Sequence, residues 1–266
     1  MSQRLQLALT VAAVALAAAG AVVGITLQTR DHPPALHPQP GKPPVPATLP
    51  GPLGAQVRQA LVDWPHGSLA TLERLSQQHP ESPLVQLYRG IGLLWAGYTN
   101  QAAAALEKTK QLGRDTSWEI AADNILHPQY FGGYPVFSPL KTNPLLERGS
   151  RLQSQGHQHS AERLYLRAAR QAPSDDEAQV AAAVGRFDKD NLTASFSHLG
   201  PLTRRFPQSQ MVRFYLGLLL AWTDQRDQAL VEFRKAQALG PKTLLGRAAR
   251  SFIDRVARPG TDGAKK

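Results

Sequence analysis

The stretch QMVRFYLGLLLAWTDQRDQALVEFRKAQALGP, residues 210–241, decides how the chain is read. Its proline, Pro241, is the last of three that recur at equal intervals, Pro173, Pro207 and Pro241. Within the stretch Gly217, Leu220, Asp224, Ala229, Phe233 and Ala236 repeat a series found two intervals earlier as Gly149, Leu152, Gly156, Ala161, Tyr165 and Ala168. The spacing predicts two antiparallel helices in every interval. Gly149 and Ala161, or Gly217 and Ala229, fall where the two helices cross, and their small side chains let the backbones approach. Tyr165 and Phe233 fill the space beside them. The proline ends the second helix, because it lacks an amide donor and clashes with the preceding turn. One such hairpin cannot bury both faces, so hairpins must stack.

With a small residue at position 8, a large apolar one at 11, Ala at 20, an aromatic at 24, Ala at 27 and Pro at 32, the segment resembles the tetratricopeptide repeat family. That resemblance implies an all-α solenoid of about five hairpins with a capping helix. It also implies work without catalysis or cofactor, a partner's peptide or helix being held in a groove lined by the first helix of each repeat. The groove positions are Leu87, Ile91, Leu94 and Trp95 in the second repeat and Phe214, Leu218 and Trp222 in the fifth. The clamp of Lys, Asn and Arg with which co-chaperone members grip a terminal carboxylate is absent. An apolar or amphipathic segment is therefore the expected occupant, supplied either by a partner protein or by the chain itself.

Outward from the clearest repeats, residues 49–82 make a degenerate first unit ending at Pro80, and residues 83–116 a second with Gly90, Leu93, Gly97, Ala102 and Leu106 in place. Laying 84–113 onto 211–240 gives ten identities, among them Tyr88 with Tyr215, Gly90 with Gly217 and Trp95 with Trp222. That shift exceeds three whole repeats, so an insertion follows the second repeat, at roughly 115–139. It opens with a helix, Ser117 capping Trp118–Leu126, and continues through Tyr130, Phe131, Tyr134 and Phe137. These aromatics either plug the array or meet a partner. In the repeat 176–209, Gly200-Pro201 falls inside the second helix and predicts a break there. Residues 242–257 read as the capping helix.

The array proper spans 54–257, and three flanking segments differ from it in composition. No charged residue occurs from Leu5 to Thr29, a run that as a helix would span ~37 Å and cross a ~30 Å hydrocarbon core. Residues 1–30 are read as a retained transmembrane anchor, with a cleaved signal peptide as the alternative. Residues 31–53 hold nine prolines in 23 positions and read as an extended spacer. The repeat domain would then stand outside the cytoplasm, since Arg4 precedes the run and Asp31 neutralises Arg30 after it. Residues 258–266 read as a disordered basic tail.

Of the net charge of +10, residues 242–266 carry +5, which suits an anionic lipid or polymer surface; no nucleic-acid motif accompanies it. The chain has no cysteine, which removes disulfides, thiolate metal sites and a cysteine nucleophile. His157 and His159 fall in an interhelical turn and lack a third ligand in sequence, so they are read as turn residues, not as a metal site. Asp175, Asp176 and Glu177 sit at a helix start, where acids favour the positive end of the dipole. No nucleophile elbow, phosphate loop or carboxylate pair is present, and the chain is read as a non-enzymatic, membrane-anchored scaffold of the cell envelope.

Overall fold

The computed structural model describes residues 36–256. The expected anchor, the first residues of the proline-rich spacer and the basic tail lie outside the described residues. Among those described there are thirteen helices and no strand, and no helix is long and apolar enough to cross a membrane. They fall into two compact units that divide between Pro128 and Gln129.

The amino-terminal unit holds α1 (Gly51–Val62), α2 (Ser68–Gln78), α3 (Pro83–Trp95), α4 (Thr99–Leu112) and α5 (Ser117–Leu126). The first two repeats are the hairpins α1–α2 and α3–α4. Pro52 lies in the first turn of α1, where a missing N–H costs nothing, so the helix begins ahead of the boundary expected at 54. Ser82 caps α3 by accepting from the Val85 amide, and Pro83 opens the helix. Without a proline at its end, α4 stops at Leu112, and the Gly113 amide closes the last turn onto the Thr109 carbonyl at 2.8 Å.

The carboxy-terminal unit holds α6 (Pro144–Ser154), α7 (Gln158–Gln171), α8 (Asp176–Gly185), α9 (Leu192–Leu199), α10 (Leu202–Arg205), α11 (Gln210–Trp222), α12 (Arg226–Leu239) and α13 (Leu244–Val256). Pro173, Pro207 and Pro241 each stand just beyond the end of a second helix. The break expected at Gly200-Pro201 divides α9 from α10. Asp175 and Asn191 act as N-caps, accepting from the Glu177 and Ala194 amides.

The close approach inferred from the repeat pattern is present in both units. A Cβ added at Gly90 would lie 2.9 Å from the Leu106 side chain, and one at Gly217 would lie 2.9 Å from the Phe233 ring; at Gly149 the Tyr165 ring is closer still. Position 8 of the first helix and position 24 of the second thus meet in each case. Ala102, Ala161 and Ala229 beside them are fully buried. Between the two helices, Gly97, Gly156 and Asp224 occupy one repeat position with φ of 87°, 89° and 58°, so the turn demands the left-handed region that glycine adopts without a Cβ clash.

Two expectations are corrected. The cap of α5 is Thr116, whose hydroxyl accepts from the Trp118 amide; Ser117 is already helical. More of the expected insertion belongs to the repeat array than its composition indicated. Helix α5 begins one repeat length after α3, as α13 begins one repeat length after α11, and it packs on α3 and α4 as α13 packs on α11 and α12. Both are first helices of an incomplete repeat, closing the apolar face that the last full hairpin leaves open.

Candidate functional site

Each unit begins with an extended segment that doubles back to the carboxyl end of the first helix of its last full repeat. In the carboxy-terminal unit this segment is residues 129–143, the remainder of the expected insertion. The Phe131 amide donates to the carbonyl of Trp222 at 3.1 Å, at the carboxyl end of α11. Carbonyls in the last turn of a helix have no intrahelical partner, which makes this end an acceptor for a passing chain. The Phe131 ring meets Trp222 edge-on at 5.8 Å, and Tyr134 meets Phe187 at 6.2 Å. Phe137 is fully buried between Tyr165 at 5.6 Å and Tyr215 at 5.2 Å. Of the four aromatics expected in the insertion, Phe137 is therefore core and Tyr134 and Tyr130 are half-buried, while Phe131 remains exposed on one side.

Side chains of three successive first helices fix the backbone of this strap. Gln153 of α6 accepts from the Phe137 amide at 2.8 Å and donates to the Pro135 carbonyl at 3.0 Å, standing in for a neighbouring strand. The Tyr215 hydroxyl of α11 accepts from the Ser138 amide at 2.7 Å. Glu177 of α8, almost wholly buried, accepts from the Leu140 and Lys141 amides, and the Lys141 ammonium reaches Asp175 at 2.6 Å. Burial pushes the Tyr165 and Tyr215 phenols well above their ordinary range, so both stay protonated and keep their donors. The three acids at the start of α8 were explained in sequence by the helix dipole, but Glu177, and Asp175 through the Lys141 ammonium, also hold the strap. Gln153 escaped notice because an amide at one position of an amphipathic helix carries no pattern of its own.

In the amino-terminal unit the corresponding segment is residues 36–50, part of the extended spacer expected at 31–53. It lies against the repeats. The Gln39 amide approaches the Leu94 carbonyl near the carboxyl end of α3 at 3.4 Å, and the Arg58 guanidinium donates to the Pro46 carbonyl at 3.2 Å. Leu36 packs against the cluster of Leu87, Ile91, Leu106 and Ala122 and also against that of Leu93, Leu94, Ala102 and Ala105. Trp95 and Ile125 border both clusters.

The groove residues expected from sequence do not form an open apolar face. Leu87, Ile91 and Leu94 are buried, the first two against α5. Phe214 and Leu218 are buried as well, Phe214 stacking among Tyr215, Phe233 and Phe252 of the closing helix. Burial follows from the half-repeats α5 and α13, which cover the outermost first helix of each unit. Trp95 and Trp222 stay half-buried at the carboxyl ends of α3 and α11. Each keeps an indole Nε1 shielded from solvent with no acceptor in reach.

His157 is the N-cap residue of α7, whereas His159, expected in the interhelical turn, lies in the first turn of that helix, and both are half-buried. Spacing, the glycine-to-aromatic crossing and the terminating prolines all agree at this point. The hairpins are tetratricopeptide-like.

Among solved structures, the chain is similar to YrrB, described as a TPR protein with an unusual peptide-binding site. The likeness is at 16% identity, over 69% of this chain and 82% of that one, with a TM-score of 0.32. No family model matches the sequence. No curated protein matches it either.

Proposed function

We propose that the chain is a non-enzymatic scaffold that binds a protein partner through its tetratricopeptide-like repeats, held at a membrane of the cell envelope by its apolar amino-terminal run with the repeats outside the cytoplasm. One observation carries the binding part of this reading. In each unit the carboxyl end of the tryptophan-bearing helix faces the backbone amide of an extended segment, Phe131 at 3.1 Å in one and Gln39 at 3.4 Å in the other. A surface that takes an extended segment of its own chain has the acceptors and the apolar wall that a partner segment needs. The membrane part rests on the uncharged run from Leu5 to Thr29.

A second reading has one feature in its favour. Lys242, Arg247, Arg250 and Arg255 are all exposed on and just before α13, with Asp254 the one exposed acid among them. That face suits an anionic lipid or polymer. Crosslinking capture from source membranes separates the two, using the tagged native chain and a chain carrying Arg247→Glu and Arg250→Glu. The scaffold reading expects one protein captured equally by both. Capture of no protein, together with salt-sensitive binding to anionic vesicles that charge reversal abolishes, would overturn it in favour of the second.

A further inference from the structure

The two straps enter their units alike and are held very differently. In the carboxy-terminal unit Phe137 is fully buried, and Gln153, Tyr215 and Glu177 together accept four backbone amides, those of Phe137, Ser138, Leu140 and Lys141. That strap is part of the core. In the amino-terminal unit most of the residues from 36 to 50 are exposed, and Pro43 alone is buried. The Gln39 amide stands 3.4 Å from its acceptor, beyond the usual range for N–H···O, and the Arg58 contact is exposed. Trp95 Nε1, at the end of α3 where this strap arrives, finds no acceptor in it. The Trp222 indole beside the other strap is shielded in the same way, so exposure and backbone contacts are what distinguish the two straps.

The sequence of the weak strap, LHPQPGKPPVPATLP, is that of a ligand more than of a core segment. Prolines preset an extended backbone, so little conformational freedom is lost on docking. Gln39 lies between Pro38 and Pro40 and is the residue there that retains an N–H, and that N–H faces the Leu94 carbonyl. Leu36 supplies the apolar anchor.

We propose that the groove at the carboxyl end of α3 is a binding site for an extended, proline-containing peptide with a leucine-sized anchor and no acidic residue, and that residues 36–50 occupy it in cis as an exchangeable competitor. The inference rests on the scaffold reading and gives it a ligand class. A tethered segment competes at an effective concentration in the millimolar range, so its removal raises the apparent affinity for the same peptide in trans.

The test uses the full chain and a fluorescent synthetic peptide of residues 36–50, with binding read by anisotropy. A chain carrying Leu36→Asp and Gln39→Pro should bind the peptide at least about tenfold more tightly than the native chain. The same peptide with its own Gln39→Pro change should lose most of that affinity. Equal affinity for the two chains would overturn cis occupancy. No binding to either would overturn the ligand class, and if membrane capture still recovers a protein the scaffold reading survives that failure. Should circular dichroism show the variant unfolded, the native chain is titrated instead and its indole N–H resonances followed. The Trp95 resonance should move to saturation while that of Trp222 stays; an unmoved Trp95 resonance overturns the proposal.

Discussion

Replacing Phe137 by alanine separates a structural strap from a loop that merely rests on the repeats. The ring is fully buried and touches Tyr165 and Tyr215, at 5.6 and 5.2 Å between centroids. Truncating a buried Phe costs about 3–5 kcal/mol, through lost transfer free energy and the cavity left behind. The amides of Phe137 and Ser138, held by Gln153 and Tyr215, lose part of their anchoring as the strap loosens. With a urea m-value of about 2 kcal/mol/M, the midpoint of the helical circular dichroism transition should fall by about 2 M. Phe131→Ala is the control. Its ring is 49% exposed and makes one edge contact with Trp222, so the loss should be about 1 kcal/mol and the shift about 0.5 M. A Phe137→Ala midpoint that moves no further than that of Phe131→Ala would refute the claim that the strap is core.

Three further expectations follow from the same geometry. Gly149→Ala places a methyl group against the Tyr165 ring, so despite the helix-propensity gain of about 1 kcal/mol it should destabilise the unit by about 1–3 kcal/mol in urea unfolding. Glu177→Gln weakens the charged acceptor of the Leu140 and Lys141 amides, and hydrogen exchange at those two amides should accelerate while that at Ser138 changes less. Burial and the adjacent Arg186 guanidinium lower the His198 pKa, so its neutral form is favoured on folding. The stability this lends is complete above the ordinary histidine value near 6.5 and falls as the pH drops through the lowered one. His198→Gln should therefore flatten the pH dependence of stability below about pH 6.5.

The repeats were legible because their chemistry is local and periodic. Gly149 with Tyr165 and Gly217 with Phe233 share one separation, set by the geometry of a single hairpin, and Pro173, Pro207 and Pro241 stop each second helix wherever the rest of the chain goes. Gly200-Pro201 divided α9 from α10 for the same local reason. Helix α5 was harder to place, since Asn124 and His127 stand at the positions where a repeat carries a small and an apolar residue. Its spacing held the signal even so: the shift that pairs Trp95 with Trp222 also pairs Ser117 with Leu244, the first residues of the two closing helices.

The straps were not legible in this way. An extended segment has neither a helical period nor a strand alternation, and its burial depends on residues far along the chain: Phe137 on Tyr215, Leu140 on Glu177, Gln39 on Leu94. Composition alone made residues 31–53 a spacer and left the aromatics of the insertion at 115–139 between plug and partner site. Of the groove positions counted from the repeat pattern, the two tryptophans stay half-buried at the helix ends. Phe214 and Leu218 were buried instead, because α13 covers them.

The most direct test of the scaffold account locks the amino-terminal strap in place. The chain contains no cysteine, so a pair introduced as Gln39→Cys and Ala96→Cys, the first in the Gln39–Leu94 contact and the second two residues beyond Leu94, meets no competing thiol. Capture of partner protein from source membranes is then compared for the oxidised and reduced forms of the same sample, with closure verified by mobility on a non-reducing gel. The account predicts that the reduced chain captures its partner and the oxidised chain does not. Equal capture by the locked form would contradict binding in the α3 groove.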